Sequence, residues 1–257
     1  MEKRYIMSSM LLWLLRSLIG WQWVPADASR IVGGHFAEPN QFPHQVGLLL
    51  RGKLYCGGSV IGENWVLTAA HCLFDNGKPY PAQSLTVVAG VLNISDSNNS
   101  GQCLAVQNLY PHPGYGNAFD DIGLVETSQK FMFGADVKPI SVRKSWLPDE
   151  TDMVISGWGR SGSGEPTSDR LQYTTVRSIP LQECTDWVGI TYHGIICVVA
   201  SEADEHGPCN GDSGGPAVVN NELVGVANWV YITCGNNPAG YANVTNFLEW
   251  IEEHVNP

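Results

Sequence analysis

Three residues, widely separated in a chain of 257, have the types needed to make and break an acyl bond. Ser213 lies in Gly211-Asp212-Ser213-Gly214-Gly215-Pro216, His71 in Thr68-Ala69-Ala70-His71-Cys72, and Asp121 in Asp120-Asp121-Ile122-Gly123-Leu124. A serine hydroxyl is a weak nucleophile at neutral pH, so it needs a base to take its proton and a third group to hold that base in the right tautomer. Ser213, His71 and Asp121 suit those roles as nucleophile, general base and orienting carboxylate. Singly, each has a plainer use: a serine in a turn, a histidine satisfied in a core, an aspartate as a cap. Their order along the chain and the setting of the serine, among glycines and before a chain-stopping proline, point instead to nucleophilic catalysis. The negative charge of a tetrahedral intermediate would need inward-facing N–H groups, which Gly211 and Ser213 are placed to give, glycine at 211 freeing the backbone to turn.

The elements that must hold these residues are short apolar runs bounded by Gly, Pro and Asn: Gln45–Leu50, Tyr55–Ile61, Val66–Ala69, Leu85–Ala89, Met153–Ser156, Leu171–Ile179, Ile195–Val199 and Ala217–Val219. Many short strands with frequent turn signals predict an all-β sandwich or barrel. Asn220-Asn221 reads as a hairpin turn, because asparagine tolerates positive φ. Only the end of the chain has a helical period, with Phe247, Ile251 and Val255 four apart and Thr245 or Asn246 as a cap. At 44% hydrophobic and 15% charged, the chain can bury a substantial core in one or two domains and is not a disordered sequence.

The first thirty residues differ from the rest. Lys3 and Arg4 precede the apolar stretch Met10–Leu15, and Ala26-Asp27-Ala28 offers a small-x-small cleavage site, which reads as a secretory signal over residues 1–28; a retained anchor is the other reading. Residues 1–30 hold four basic and two acidic groups, so losing them takes the formal charge from −11 to −13. An acidic surface of that size disfavours nucleic acid and anionic membranes as partners. Seven cysteines in a secreted chain suggest three bridges with one thiol left over, in a connectivity that counting does not fix.

On the His71, Asp121 and Ser213 contexts, and on Arg30-Ile31-Val32-Gly33-Gly34, the chain from Ile31 to its C-terminal helix resembles the chymotrypsin-like serine proteases. The resemblance implies an all-β fold of two six-stranded antiparallel β-barrels with a C-terminal α-helix. The first barrel would run over about 31–142, the second over about 148–243 and the helix over about 245–255. Similarity to the family's Asp-Ile-x-Leu selects Asp121 over Asp120. It pairs Cys56 with Cys72, Cys184 with Cys197 and Cys209 with Cys234, leaving Cys103 outside as a buried or capped thiol in preference to an intermolecular link. It makes Arg30 an activation site that ends a two-residue propeptide, 29–30. A trypsin-like activating protease would free the Ile31 ammonium to pair with Asp212. It places Gly207 on the floor of the substrate pocket, Asn228 and Trp229 on its wall, Val230 at its mouth and Ala239 deep inside. An apolar preference at P1, the substrate residue before the cut bond, would follow, either elastase-like or chymotrypsin-like. Asn228 departs from the family's usual serine, whose hydroxyl bonds toward the catalytic aspartate; an amide can still donate that bond.

The implied product is a secreted, extracellular, monomeric endopeptidase made as a zymogen, with protein or peptide substrates, protein protease inhibitors as partners and no cofactor. The loop from Val91 lacks the paired carboxylates of calcium-binding relatives, so no metal is expected. Asn93, Asn98 and Asn243 open glycosylation sequons. Two other classes compete: a catalytically weak protease-fold binding protein, favoured by Asn228, and a disulfide-bonded β module with no enzymatic past, which leaves the three motif contexts without a reason.

Overall fold

The computed structural model describes residues 34–75, 77–96, 100–116, 120–160, 162, 164, 166–189, 191–201, 207–209, 211–231, 234–235 and 237–255. The signal and propeptide expectations, Arg30, Ile31 and Asn98 lie outside the described residues.

The strands are β1 (His35–Phe36), β2 (Gln45–Leu50), β3 (Lys53–Val60), β4 (Trp65–Thr68), β5 (Phe74–Asp75), β6 (Lys78–Pro79), β7 (Leu85–Ala89), β8 (Gln102–Pro111) and β9 (Gly123–Thr127), followed by β10 (Ser141–Val142), β11 (Asp152–Gly157), β12 (Gln172–Ile179), β13 (Ile195–Ala200), β14 (Pro216–Val219), β15 (Glu222–Val230) and β16 (Ala239–Asn243). Strands β2-β3-β4-β9-β8-β7 close into one barrel. The second ring runs β12-β11-β14-β15-β16-β13 and closes where β13 pairs back on β12. Each barrel fills its interior with inward-facing side chains, as Val46, Leu48, Val66, Leu67, Val87 and Leu124 do in the first and Met153, Ile155, Val176, Val198 and Tyr241 in the second. Closure removes the exposed strand edges that an open sheet would present.

Two arms cross between the halves. Strand β1 pairs with β12, His35 opposite Tyr173, so the start of the described chain belongs to the second barrel and not to the first. Short β10 pairs in parallel with β15 of the second barrel, before the expected divide. At the other end, a 3₁₀ turn over Val244–Phe247 leads into α2 (Leu248–Val255), which packs on the first barrel. His112 meets the rings of Phe247 and Trp250 at 5.2 and 5.1 Å, and Tyr110 meets His254 at 5.1 Å. Phe247 and Ile251 are accordingly continuous with the first core.

Local signals explain the joints. Asn220 and Asn221 have φ of 50° and 65°, the pair of positive values a tight hairpin needs between β14 and β15. A second helix, α1 (Leu181–Val188), stands where the sequence pointed to a helix only at the chain's end. Pro180 precedes it and Gly189, at φ 81°, ends it by donating its N–H to the Thr185 carbonyl.

Candidate active site

His71 lies on a 3₁₀ turn, Ala70–Leu73, just beyond β4. Asp121 comes at the end of the connection into β9, after Asp120, which is held at φ 50°. The Asp121 carboxylate is 2% exposed and grips the histidine twice. Its Oδ2 accepts from the ring Nδ1 at 2.7 Å and its Oδ1 from the His71 backbone N–H at 2.8 Å. With Nδ1 serving as donor, Nε2 is the basic nitrogen, and the paired contacts fix the ring's orientation. The His71 side chain itself is 29% exposed.

The turn that carries Ser213, on the second barrel, meets the first barrel across a seam of glycines. The Ser213 carbonyl accepts from Gly57 N–H at 2.8 Å, and Gly57 follows Cys56, whose sulfur is bonded to Cys72 beside the histidine. A Cβ on Gly214 would stand 2.1 Å from Thr68 Oγ1 and 2.6 Å from the Gly57 carbonyl, and its φ is +77°, so only glycine fits. Thr68 is three residues before His71, and the close approach docks the Ser213 turn against the segment that carries His71. Gly211 has φ +102°, the turn that Gly alone makes cheaply two residues before Ser213.

Asp212 points away from solvent, 4% exposed. Its Oδ1 accepts from Gly159 N–H at 2.8 Å and its Oδ2 from Cys209 N–H at 3.0 Å. Burial pushes its carboxyl up to about 6, against the lowering by those two donors. A Cβ at Gly157 or Gly159 would fall 2.1 and 2.2 Å from its oxygens, so the chain has cleared space for this carboxylate. Among the described residues no cation is paired with it.

A cavity of about 180 Å³ opens beside Ser213, with Cys209, Asp212, Asn228, Trp229 and Val230 among its walls. Gly207 and Ala239 do not line it, although they were expected at its floor and depth. Gly207 is buried against Gly235, whose carbonyl would be 3.2 Å from an added Cβ. Ala239 is 1% exposed and faces the second core, paired with Val198 and Val230. The Asn228 Nδ2 donates to Tyr192 Oη at 2.9 Å, a partner that sequence reasoning did not find.

The bridges are Cys56–Cys72, Cys184–Cys197 and Cys209–Cys234. Cys103 lies on the outer face of β8 and is exposed, which overturns the buried form of the expected buried or capped thiol. Asn93 is exposed, whereas Asn243 is 1% exposed and its Oδ1 accepts from both the N–H and the hydroxyl of Thr245. Cys56, His71 and Cys72 have their donor atoms within 4.8 Å of one another, but the two sulfurs are joined to each other and do not form a ligand set. Among the described residues no helix is long and apolar enough to cross a membrane.

Residues 31–251 match the family model described as Trypsin. The chain belongs to the trypsin family. Among curated relatives, "Serine protease SP24D" of Anopheles gambiae is 44% identical over 227 residues, which cover 88% of this chain and 81% of that one. "Kallikrein-8" of Homo sapiens is 32% identical, covering 95% and 94%. Among solved structures, human heparin binding protein superposes with a TM-score of 0.77 at 27% identity, covering 88% of this chain and 98% of that one. Neuropsin, a serine protease of mouse brain, gives 0.77 at 28%, covering 86% and 97%. Membership in this family, with relatives named as serine proteases, supports a serine endopeptidase.

Proposed function

We propose that the protein is a secreted endopeptidase, made as a zymogen, that cuts after apolar residues through Ser213, His71 and Asp121. The observation that carries this reading is the doubly bonded His71–Asp121 pair with the Ser213 turn docked against its segment and opening on a cavity. As a peptide carbonyl is attacked, the Ser213 hydroxyl gives its proton to His71 Nε2, and Asp121 stabilises the imidazolium without taking that proton. The oxyanion of the tetrahedral intermediate accepts from the Gly211 and Ser213 N–H groups. His71 then protonates the leaving amine, an ester to Ser213 remains, and water activated by the same base releases the acid.

Asp212 supports the zymogen reading. An ionised, fully buried carboxylate without a cation is costly, and the Ile31 ammonium released by cleavage after Arg30 is the charge that would relieve it. The pair would lock the loop that carries Gly211, so cutting the chain switches the oxyanion site on. An apolar P1 is supported by Trp229 and Val230 in the cavity's wall, and by the glycine at 207, the position to which the resemblance assigns the specificity-setting residue. Aliphatic or larger P1 groups of the elastase or chymotrypsin kind are the substrates. Three disulfides and the leader-like first thirty residues support export to an oxidising compartment. A heparin-binding role, as one structural neighbour's name states for that protein, is disfavoured here by a net charge of −11.

The test is to cleave after Arg30, expose the chain to an organophosphorus serine reagent, and profile a peptide library. Labelling at Ser213 with cuts after apolar residues is expected. No labelling would overturn the triad, and cuts dominated by lysine or arginine would overturn the pocket.

A further inference from the structure

The resemblance leads to a serine hydroxyl beside the orienting carboxylate, and this chain has Asn228 there. Asn228 is the extra residue of a β-bulge. On β15, Ala227 stands opposite Tyr241 and Trp229 opposite Gly240, and the register shifts between them. A bulge re-aims the side chain of its extra residue and is a recurrent device beside active sites. Here it aims Asn228 at Tyr192, with Nδ2 donating to the phenol oxygen at 2.9 Å.

Tyr192 lies just ahead of β13 and is half-buried. Burial raises its phenol well above the ordinary value, and the charge of Asp121, followed more weakly by that of Asp120, raises it further. The phenol therefore stands in the field of the carboxylate that holds His71. Asn228, for its part, shares a cavity wall with Ser213. An unheld carboxamide turns broadly about its last torsion, and a buried polar network restricts that turn.

We propose that Tyr192 is a positioning residue of the active centre: its phenol fixes the Asn228 carboxamide at the edge of the cavity that opens on Ser213. The inference rests on the triad reading, and the assay separates their failures.

The chain cleaved after Arg30 is treated with diisopropyl fluorophosphate, and the rate of Ser213 modification is followed down the acid limb of its pH profile. Loss of one partly buried hydrogen bond predicts that Tyr192→Phe reacts about threefold to tenfold slower, with a displaced acid limb and a little-changed KM for an apolar peptide ester. Asn228→Ala reproduces the loss, and Tyr192→Phe added to it costs nothing further. If the parent is labelled but Tyr192→Phe matches it in rate and profile, or if the two losses multiply, the inference is overturned and the triad stands. A parent that is not labelled overturns the triad and the inference with it. If thermal melts show that Tyr192→Phe does not fold, Asn228→Ala is read alone, and an unmoved profile overturns the inference.

Discussion

His44 should make the fold acid-labile, and the size of the effect follows from its surroundings. The residue is 6% exposed, its Nε2 has no hydrogen-bond partner among the described residues, and the Phe42 ring stands edge-on to it at 6.3 Å. Burial lowers its pKa from 6.5 to about 4. The unfolded chain therefore binds a proton on His44 that the folded chain refuses. The stability at stake is present in full above about 6.5 and is lost as pH falls through about 4. A tenfold change in proton affinity is about 1.4 kcal/mol, so the loss amounts to about 3 kcal/mol. In a protein of this size that lowers Tm by roughly 6–12 °C. The substitution His44→Phe keeps an aromatic ring and removes the titrating group. Calorimetry on a Ser213→Ala background, which excludes self-digestion, should show the variant ahead of its parent at neutral pH by about 1–3 kcal/mol for the relieved nitrogen. Its lead should widen by about 3 kcal/mol at the acid end. Every other ionisable group is common to both proteins and cancels in the difference. A lead that stays constant with pH would refute the argument.

Three further outcomes are expected. Gly214→Ala forces a methyl onto Thr68 Oγ1 and the Gly57 carbonyl, so labelling of Ser213 should fall by about 100-fold or more, measured as the rate of phosphonylation. Val230→Gly widens the cavity wall and should shift the ratio of kcat/KM for large over small apolar P1 residues by roughly 10- to 200-fold, read from a peptide series. An ammonium paired with Asp212 has its pKa raised above the free value of about 7.7–8.0, so the activity it supports is complete below that value and disappears as pH rises through the paired one. Peptidase assays on the alkaline side should follow that loss, and Asp212→Asn should be inactive throughout; an alkaline limb unchanged by acetylating the Ile31 amine would refute the pairing.

The β class was legible because the inner faces of the barrels are continuous apolar runs, Gln45–Leu50 and Met153–Ser156 among them, and Asn220-Asn221 carries its own turn chemistry. Strand β8 gave no such run: Leu104 and Val106 point inward, while Cys103, Ala105 and Gln107 face solvent. Strand β16 is wholly buried yet reads Ala-Gly-Tyr-Ala-Asn, too small and polar in composition to stand out. Helix α1 is only eight residues long with Cys184 its one buried side chain, although Pro180 and Gly189 bracket it in the sequence. At the site, the three motif contexts carried the chemical proposal, but the contacts between barrels are long-range and leave no local trace. The Asn228–Tyr192 bond depends on a bulge, and the withdrawal of Ala239 from the cavity depends on which face of β16 meets the second core.

The exchanged arms bear on how base and nucleophile keep their spacing. Strand β1 is clamped to the second barrel and α2 to the first, so each half holds a piece contributed from the other side of the boundary. The segment over 143–151 is itself tied to the second barrel, with Leu147 in its core and the Arg143 and Glu150 N–H groups donating to Leu223 and Ser178. Disturbing Trp250 or Phe247, which seat the terminal helix on the first barrel, would loosen that hold from behind.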